Sequence, residues 1–576
     1  MPSATRARQN DRMTDTSVAA VEEPPAPTPT RRRGRWPRLN YLGLVGATLA
    51  VGLSLTPSLL PRPWPFQGFI AGFGAAIGYG LGTLLSAALR HLIRREPGRS
   101  VKRAAWRGLA VLGPLLWVLF VVLGGIWQDQ VRELVGEEPN QAVFSPGVAV
   151  IIVVVGLATL FVCRGIRLVT RWIIRLLGRV IPARLAQAVG FVAVAVLIYW
   201  LAAGVLFNAF VDAADRVYSA SNAETTPGVT APTSPDRSGS PESLVPWSTL
   251  GRQGRNFVAT GPTTAQLTAF SGQPATEPIR VYVGLDSAPS ARSRADLAVR
   301  ELERTGAFQR PVLVVAGATG TGWLEPQSVD SLEYMWNGNT AIATIQYSYL
   351  PSWISFLVDQ QRAADAGREL FDAVYARWQT LPADTRPKLI SYGLSLGSFA
   401  AQSAFGSAGD LAARTDGALF MGTPNFAQPW GDITRTRDAG SPEWQPIYRE
   451  GQSLRFGATV DNLANPAGPW PWPHIVFMQH ASDPVVWWSF DLLTRRPDWL
   501  AEPRGPDVSS KTRWYPFVTF MQVTVDQFFG VSVPLGHGHN YGNTIVGAWQ
   551  NVVPPPQWTP AAAAQLQQMI DAYPLD

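Results

Sequence analysis

Apolar residues fill the first third of this chain in long unbroken runs, whereas later they come in short runs separated by polar stretches. Five early runs approach the roughly 17 to 25 residues that a helix needs to cross a bilayer: about Tyr41 to Leu60, Phe66 to Leu89, Gly108 to Trp127, Gly147 to Cys163 and Leu185 to Phe207. From Ile279 onward the rhythm changes. The β-rich runs IRVYVGL (279–285), PVLVVAG (311–317), TAIATIQYS (340–348), KLISYGLS (388–395), GALFMGT (417–423) and HIVFMQH (474–480) alternate with helical stretches such as 359–378. That alternation predicts a mostly parallel sheet with crossover helices, so the fold class expected is a transmembrane helical bundle of about five spans joined to an α/β domain.

The polar stretches divide the chain further. Residues 1–40 carry Pro, Thr and eight arginines without apolar periodicity, the composition of a disordered basic arm. The bundle is expected over 41–210. Residues 211–250 are rich in Ser, Thr, Pro and Asp and predict a linker, followed by a catalytic domain over 251–576. Within the bundle, 164–184 places arginines on one helical face and Ile, Leu and Trp on the other, which predicts an interfacial helix lying along the membrane.

Charge changes the picture in two ways. The net charge is +6, but the arginines cluster around the apolar runs and form no stripe on the later half, so no nucleic-acid partner is expected. They read instead as topology signals. The basic arm, the seven basic residues of 90–107 and the six arginines of 164–184 alternate with a proline turn at 61–65 and the mainly acidic 129–138. Because Lys and Arg stay on the cytoplasmic side, the N-terminus is expected inside and everything after Phe207 outside the cytoplasmic membrane. The spans contain almost no ionisable residues, which argues against a transport pathway and for an anchor. Cys163 is the single cysteine, so neither a disulfide framework nor a zinc-ligand pattern exists, and no metal or cofactor is expected.

The candidate chemistry begins at the end of the fourth β-rich run with Gly393-Leu394-Ser395-Leu396-Gly397, followed by the helical SFAAQSAF. A nucleophilic serine on a sharp strand-to-helix turn needs small residues two before and two after it, as in the α/β-hydrolase elbow. Such a serine needs a base, and the base an orienting carboxylate, in the order Ser, Asp, His. Asp483, just past the sixth run, is the candidate acid. Only His537 and His539 follow it, both in the glycine-rich PLGHGHNYG, and one of them should be the base. His539 is favoured by its position before the helix-prone NTIVGAWQNVV. The Leu396 amide is one expected oxyanion donor, and a second should come from Ala318, Thr319 or another residue of GATGTGW (317–323). Two insertions, 428–472 and 487–535, are rich in tryptophan, which fits either a core or a lid touching acyl chains.

The stretches TPSLLPRPW (56–64), GATGTGW (317–323), QYSYLPSW (346–353), GLSLGS (393–398) and PLGHGHNYG (534–542) resemble a family of bacterial, largely actinobacterial, membrane proteins in which an α/β-hydrolase domain follows a multi-span region. The resemblance implies a lipase or esterase with its nucleophile at Ser395. The expected function is therefore cleavage or transfer of an acyl ester, with a lipid-like ester as substrate and membrane lipids as partners; oligomeric state is not legible. The competing expectation is a non-catalytic envelope protein or a transporter with a degenerate hydrolase domain.

Overall fold

The computed structural model describes residues 39–93, 98–139 and 147–573. The basic arm expected over 1–40 lies outside the described residues, Leu39 and Asn40 excepted.

The helical part comprises α1 (Tyr41–Ser54), α2 (Trp64–Ile93), α3 (Arg99–Leu134), α4 (Gly147–Leu177), α5 (Ala183–Tyr199) and α6 (Phe207–Ala223). A π-helical segment, Trp200–Leu206, joins the last two into one continuous helix of 41 residues. Among the described residues, four helices are long and apolar enough to cross a membrane: α2, α3, α4 and the joined α5–α6. The first expected span is shorter than the run of apolar residues suggests. Its helix stops at Ser54, because Pro57, Pro61 and Pro63 lack the amides a helix needs, and Leu59 and Leu60 turn instead into the core of the other domain. The expected interfacial helix over 164–184 is also corrected. The first fourteen residues of that stretch, 164–177, continue α4 without a break to Leu177, and a turn at 178–182 leads into α5. Apolar side chains such as Leu112, Leu115 and Val118 face outward on these helices, the reverse of a water-soluble bundle.

The second part is built on seven parallel strands: β1 (Ile279–Val283), β2 (Val312–Gly317), β3 (Thr340–Ile345), β4 (Lys388–Leu394), β5 (Gly417–Met421), β6 (Leu454–Gly457) and β7 (His474–Met478). Their order is β1-β3-β2-β4-β5-β7-β6. Every strand but β6 falls within an expected run; β6 is four residues, LRFG, inside the first tryptophan-rich insertion. The strands are buried along nearly their whole length, as a sheet covered by helices on both faces requires.

The expected linker, 211–250, is ordered. Its first residues complete α6, and Asp236 to Ser238 run beside β1, with Ser238 N–H donating to Arg280 O (3.1 Å) and Arg280 N–H to Asp236 O (3.1 Å). This covers the edge of the sheet. The polar composition misleads because the polar groups are used: Glu301, fully buried, accepts from Ser243 Oγ (2.6 Å) and Leu244 N–H (3.0 Å).

The tryptophans settle into the core. Trp430, Trp487, Trp488 and Trp499 are buried, and Trp444, Trp470 and Trp514 pack against the same core. Trp472 is exposed, but it stacks on His474 at the start of β7, the end of the strand opposite Asp483. The reading of these tryptophans as a lipid-touching lid is thus not what the structure has.

The two parts are joined through buried contacts on one face of the bundle. Leu59 N–H donates to Asp526 Oδ2 (3.1 Å), Gln522 Nε2 to the carbonyls of Ser54 (3.2 Å) and Thr56 (2.8 Å), and Tyr349 Oη to Asp215 Oδ2 on α6 (3.1 Å). Gly136, just past α3, lies beside His537. The turns α1–α2 and after α3, together with the end of α6, therefore share the side of the sheet domain.

Candidate active site

β4 delivers Ser395 at its C-terminal end, and the helix Leu396–Gln402 begins on the next residue. Ser395 takes φ 58°, a region that ordinary residues avoid, which lifts its side chain above the strand. Close backbone packing makes this turn possible: a Cβ on Gly393 would collide with the Gly397 carbonyl, and one on Gly397 with the carbonyl of Gly317 at the end of β2. The turn is tied to the sheet by Ser395 N–H donating to Met421 O (2.9 Å). Behind it, Ser398 Oγ, Thr423 Oγ1 and Gln402 Nε2 form a buried hydrogen-bonded cluster.

β7 ends at Met478, and Asp483 follows as the cap of a short helix, its Oδ1 accepting from Val485 N–H (2.8 Å). Its Oδ2 accepts from His539 Nδ1 at 2.7 Å and from Tyr541 Oη at 2.6 Å. The carboxylate is fully buried and has a hydrogen-bond partner on each oxygen. His539, 8% exposed, carries a proton on Nδ1 to donate to Asp483, so that in the neutral ring Nε2 is the lone-pair nitrogen; Nε2 is buried and has no hydrogen-bond partner among the described residues. The ring lies over Gly422, where a Cβ would collide with its Cε1, and Gly422 follows the Met421 whose carbonyl holds Ser395. Ser395, Asp483 and His539 are thus gathered at the C-terminal edge of neighbouring strands β4, β5 and β7.

His537 is placed differently. Its Nδ1 is 3.5 Å from Asp507 Oδ2, and the side chain is 27% exposed. Asp507 in turn accepts from Ser482 Oγ, and Ser482 Oγ accepts from Gly538 N–H (2.8 Å). Burial pushes the Asp507 carboxyl up, but nearby His537 and His480 and the Ser482 hydroxyl outweigh it and hold the group below the ordinary carboxylate range.

On the other side of Ser395, the candidate oxyanion loop packs against Gly397. Thr319 N–H is committed to Trp323 O (3.0 Å), whereas Ala318 N–H makes no backbone hydrogen bond among the described residues. Of the two expected loop donors, Thr319 therefore has its N–H engaged and Ala318 does not.

Four groups near this site escape sequence reasoning. Tyr541 sits in the motif itself, but nothing in its spacing marks it as a partner of Asp483; burial and that carboxylate raise its pKa well above the usual tyrosine value. His480 stacks on Tyr541 (centroids 4.2 Å apart) and reaches Gly538 O through Nδ1 (2.9 Å), while burial lowers its pKa and favours the neutral ring. Asp507 comes from the tryptophan-rich insertion with no local signal. Glu325, just after the oxyanion loop, caps the helix Pro326–Met335; burial pushes its carboxyl up to about 7, opposed by the Gln327 amide and by His539. Its charge therefore changes near neutral pH within electrostatic reach of His539. Among the described residues no group of three or more His, Cys, Asp or Glu side chains gathers to hold a metal ion.

Comparison with known proteins bears on the fold. No curated protein and no solved structure matches the chain. Two family descriptions do match: "Alpha/beta-hydrolase family" over residues 279–566, and "Alpha/beta-hydrolase family N-terminus" over residues 55–262. The first begins at β1 and takes in every strand and all three gathered side chains; the second takes in the proline-rich turn after α1 and the remaining apolar helices. With the parallel sheet and elbow already described, the chain belongs to this α/β-hydrolase family.

Proposed function

We propose that this chain is a membrane-anchored serine hydrolase that cleaves or transfers an acyl ester, a lipid-like one above all, on the outer side of the cytoplasmic membrane. Ser395 is the nucleophile, His539 the base and Asp483 its orienting carboxylate. The observation that carries the reading is the 2.7 Å contact of His539 Nδ1 with the Asp483 carboxylate, beside the elbow that carries Ser395, with His539 Nε2 buried and without a hydrogen-bond partner among the described residues.

In the reaction, Ser395 Oγ bonds to the carbonyl carbon while its proton passes to His539 Nε2. The oxyanion is met by the amides of Leu396 and Ala318. His539 then gives the proton to the departing alcohol oxygen as the ester C–O bond breaks. Water, or the hydroxyl of an acceptor, repeats the sequence on the acyl-enzyme and restores Ser395. Tyr541 and Val485 hold Asp483 in place throughout. The outward placement rests on charge: the basic segments 98–107 and 164–184 lie at the ends of the helices away from the sheet domain, where Lys and Arg mark the cytoplasmic side.

The test is labelling of the full chain in lipid vesicles with a fluorophosphonate. Wild type should label, and Ser395→Ala should not. A folded wild type that takes no label would remove the catalytic reading.

A further inference from the structure

A row of exposed apolar side chains links the membrane helices to both sides of the candidate catalytic centre. It begins on α6 at Phe210, three residues beyond the expected end of the last span and just before Asp212 and Asp215. Phe210 meets Trp353 with ring centroids 6.0 Å apart, and Trp353 meets Phe528 at 6.2 Å. These rings remain open to the surroundings: Phe210 is 45%, Trp353 45% and Phe528 55% exposed, with Leu357 at 51% and Val531 at 65% extending the row. Beside it, Phe529 packs edge-on against Phe66 near the start of α2, centroids 5.0 Å apart. The row is therefore bounded by two helices, near one end of the apolar stretch of each.

Two of its segments border the loops of the candidate site. Trp353 and Leu357 belong to the short helix Ser352–Val358, whose Ser355 Oγ and Ser352 N abut Gly320 of the oxyanion loop. Phe528 is two residues from Gly530, whose carbonyl accepts from His539 N–H (2.7 Å). A water-soluble domain rarely exposes contiguous apolar surface of this kind, and aromatic side chains favour the membrane–water boundary.

We propose that this row is the acyl-chain subsite: an ester lipid slides laterally from the bilayer between α2 and α6, lays its chain along Phe210, Trp353 and Phe528, and so brings its carbonyl to Ser395. The subsite rests on the serine-hydrolase reading. It differs from simple anchoring in that it selects substrates by chain length, since each further methylene buried along the row strengthens binding.

The experiment compares two esters on the full chain in phosphatidylethanolamine–phosphatidylglycerol vesicles: 4-methylumbelliferyl oleate carried in the bilayer and 4-methylumbelliferyl butyrate added from water. The double variant Trp353→Ala/Phe528→Ala should lose about tenfold or more in kcat/KM for the oleate, as removal of two large apolar contacts implies. It should keep the butyrate rate within about twofold, and Trp353→Phe should retain oleate turnover. Equal losses on both esters would mean that the row supports the catalytic loops, and no loss on either that it only rests in the bilayer; both outcomes overturn the subsite. A wild type inactive on both esters and unlabelled by fluorophosphonate would instead bring down the underlying reading.

Discussion

Two histidines separated only by Gly538 face two different buried carboxylates, and the two halves of that loop are built to different tolerances. On one side His539 meets Asp483 at 2.7 Å, both side chains at most 7% exposed, and the carboxylate is filled by Tyr541 and Val485 as well. On the other, His537 stands 3.5 Å from Asp507 and is 27% exposed. Ser482 lies between them, holding Gly538 N–H and reaching Asp507. A hydrogen bond of 2.7 Å between buried groups fixes a tautomer, whereas a half-open pair at 3.5 Å fixes little. On the proposed reading, the tight pair transfers the proton and the loose pair holds the loop that carries it.

The largest effect should come from exchanging that difference for its absence. His539→Gln is expected to slow ester hydrolysis by about a thousandfold, the range for loss of a general base, and Asp483→Asn by a similar or larger factor. His537→Gln should stay within about threefold, because on this reading its ring takes no part in proton transfer. Fluorophosphonate labelling rates measure all three; a larger loss in His537→Gln than in His539→Gln would reverse the assignment.

The sequence already distinguishes the elements this comparison rests on, but not their partners. Ser395, Asp483 and the histidine pair are legible because a nucleophile elbow imposes glycine at fixed spacing and the fold imposes chain order. Six strands are legible because buried parallel strands are continuous apolar runs. Asp507 and Tyr541 are not, since a contact between residues brought together by tertiary packing leaves no local pattern. The proline-rich turn after α1 looks like a simple reversal, yet Leu59 and Leu60 are fully buried in the hydrolase core. The stretch expected as a linker, 211–250, is ordered for a related reason: composition registers polar side chains but not the buried carboxylate that they satisfy.

A smaller effect is expected from the support behind the tight side. A Cβ on Gly538 would lie 3.4 Å from Leu60, and Gly530, which holds His539, is four residues from Asp526. Asp526 pairs with Arg62 of the membrane hairpin at 3.5 Å, both side chains fully buried. Arg62→Met strands a buried carboxylate and should destabilise the protein by about 3–5 kcal/mol in urea unfolding, while Arg62→Met/Asp526→Leu should recover most of the loss. Burial raises the Asp526 carboxyl, with Arg62 opposing. A carboxyl raised by folding favours the folded state at low pH, and that contribution disappears as pH rises through its folded value. Arg62→Met, where the rise is larger, should therefore approach wild type in acid and fall furthest behind at neutral pH. A pH-independent deficit would mean that the pair contributes packing alone.

Tyr541→Phe takes one hydrogen bond from Asp483 and leaves two. Loss of a bond to a charged acceptor is worth about 1.5–3 kcal/mol, so hydrolysis should slow by about ten- to a hundredfold with KM for a short ester unchanged. An effect on KM alone would place the tyrosine in substrate binding and blur the contrast between the two pairs.

The smallest effect should lie on the loose side. Asp507 is held below the ordinary carboxylate range, so its contribution to stability is present above the unfolded value of about 3.9 and is lost as pH falls through the lower folded value. Asp507→Asn should accordingly be less stable than wild type at neutral pH, and the gap should close below about pH 4 as the wild-type carboxylate also takes up its proton. Because His537 is partly exposed and 3.5 Å away, water screens its contact with Asp507 and the gap should be small. The informative quantity is the ester-hydrolysis rate at neutral pH. If Asp507 only steadies the loop, the variant keeps its rate while losing its acid-sensitive stability; if the rate falls as far as in Asp483→Asn, the two carboxylates act as one unit and the division of the loop into a working side and a holding side fails.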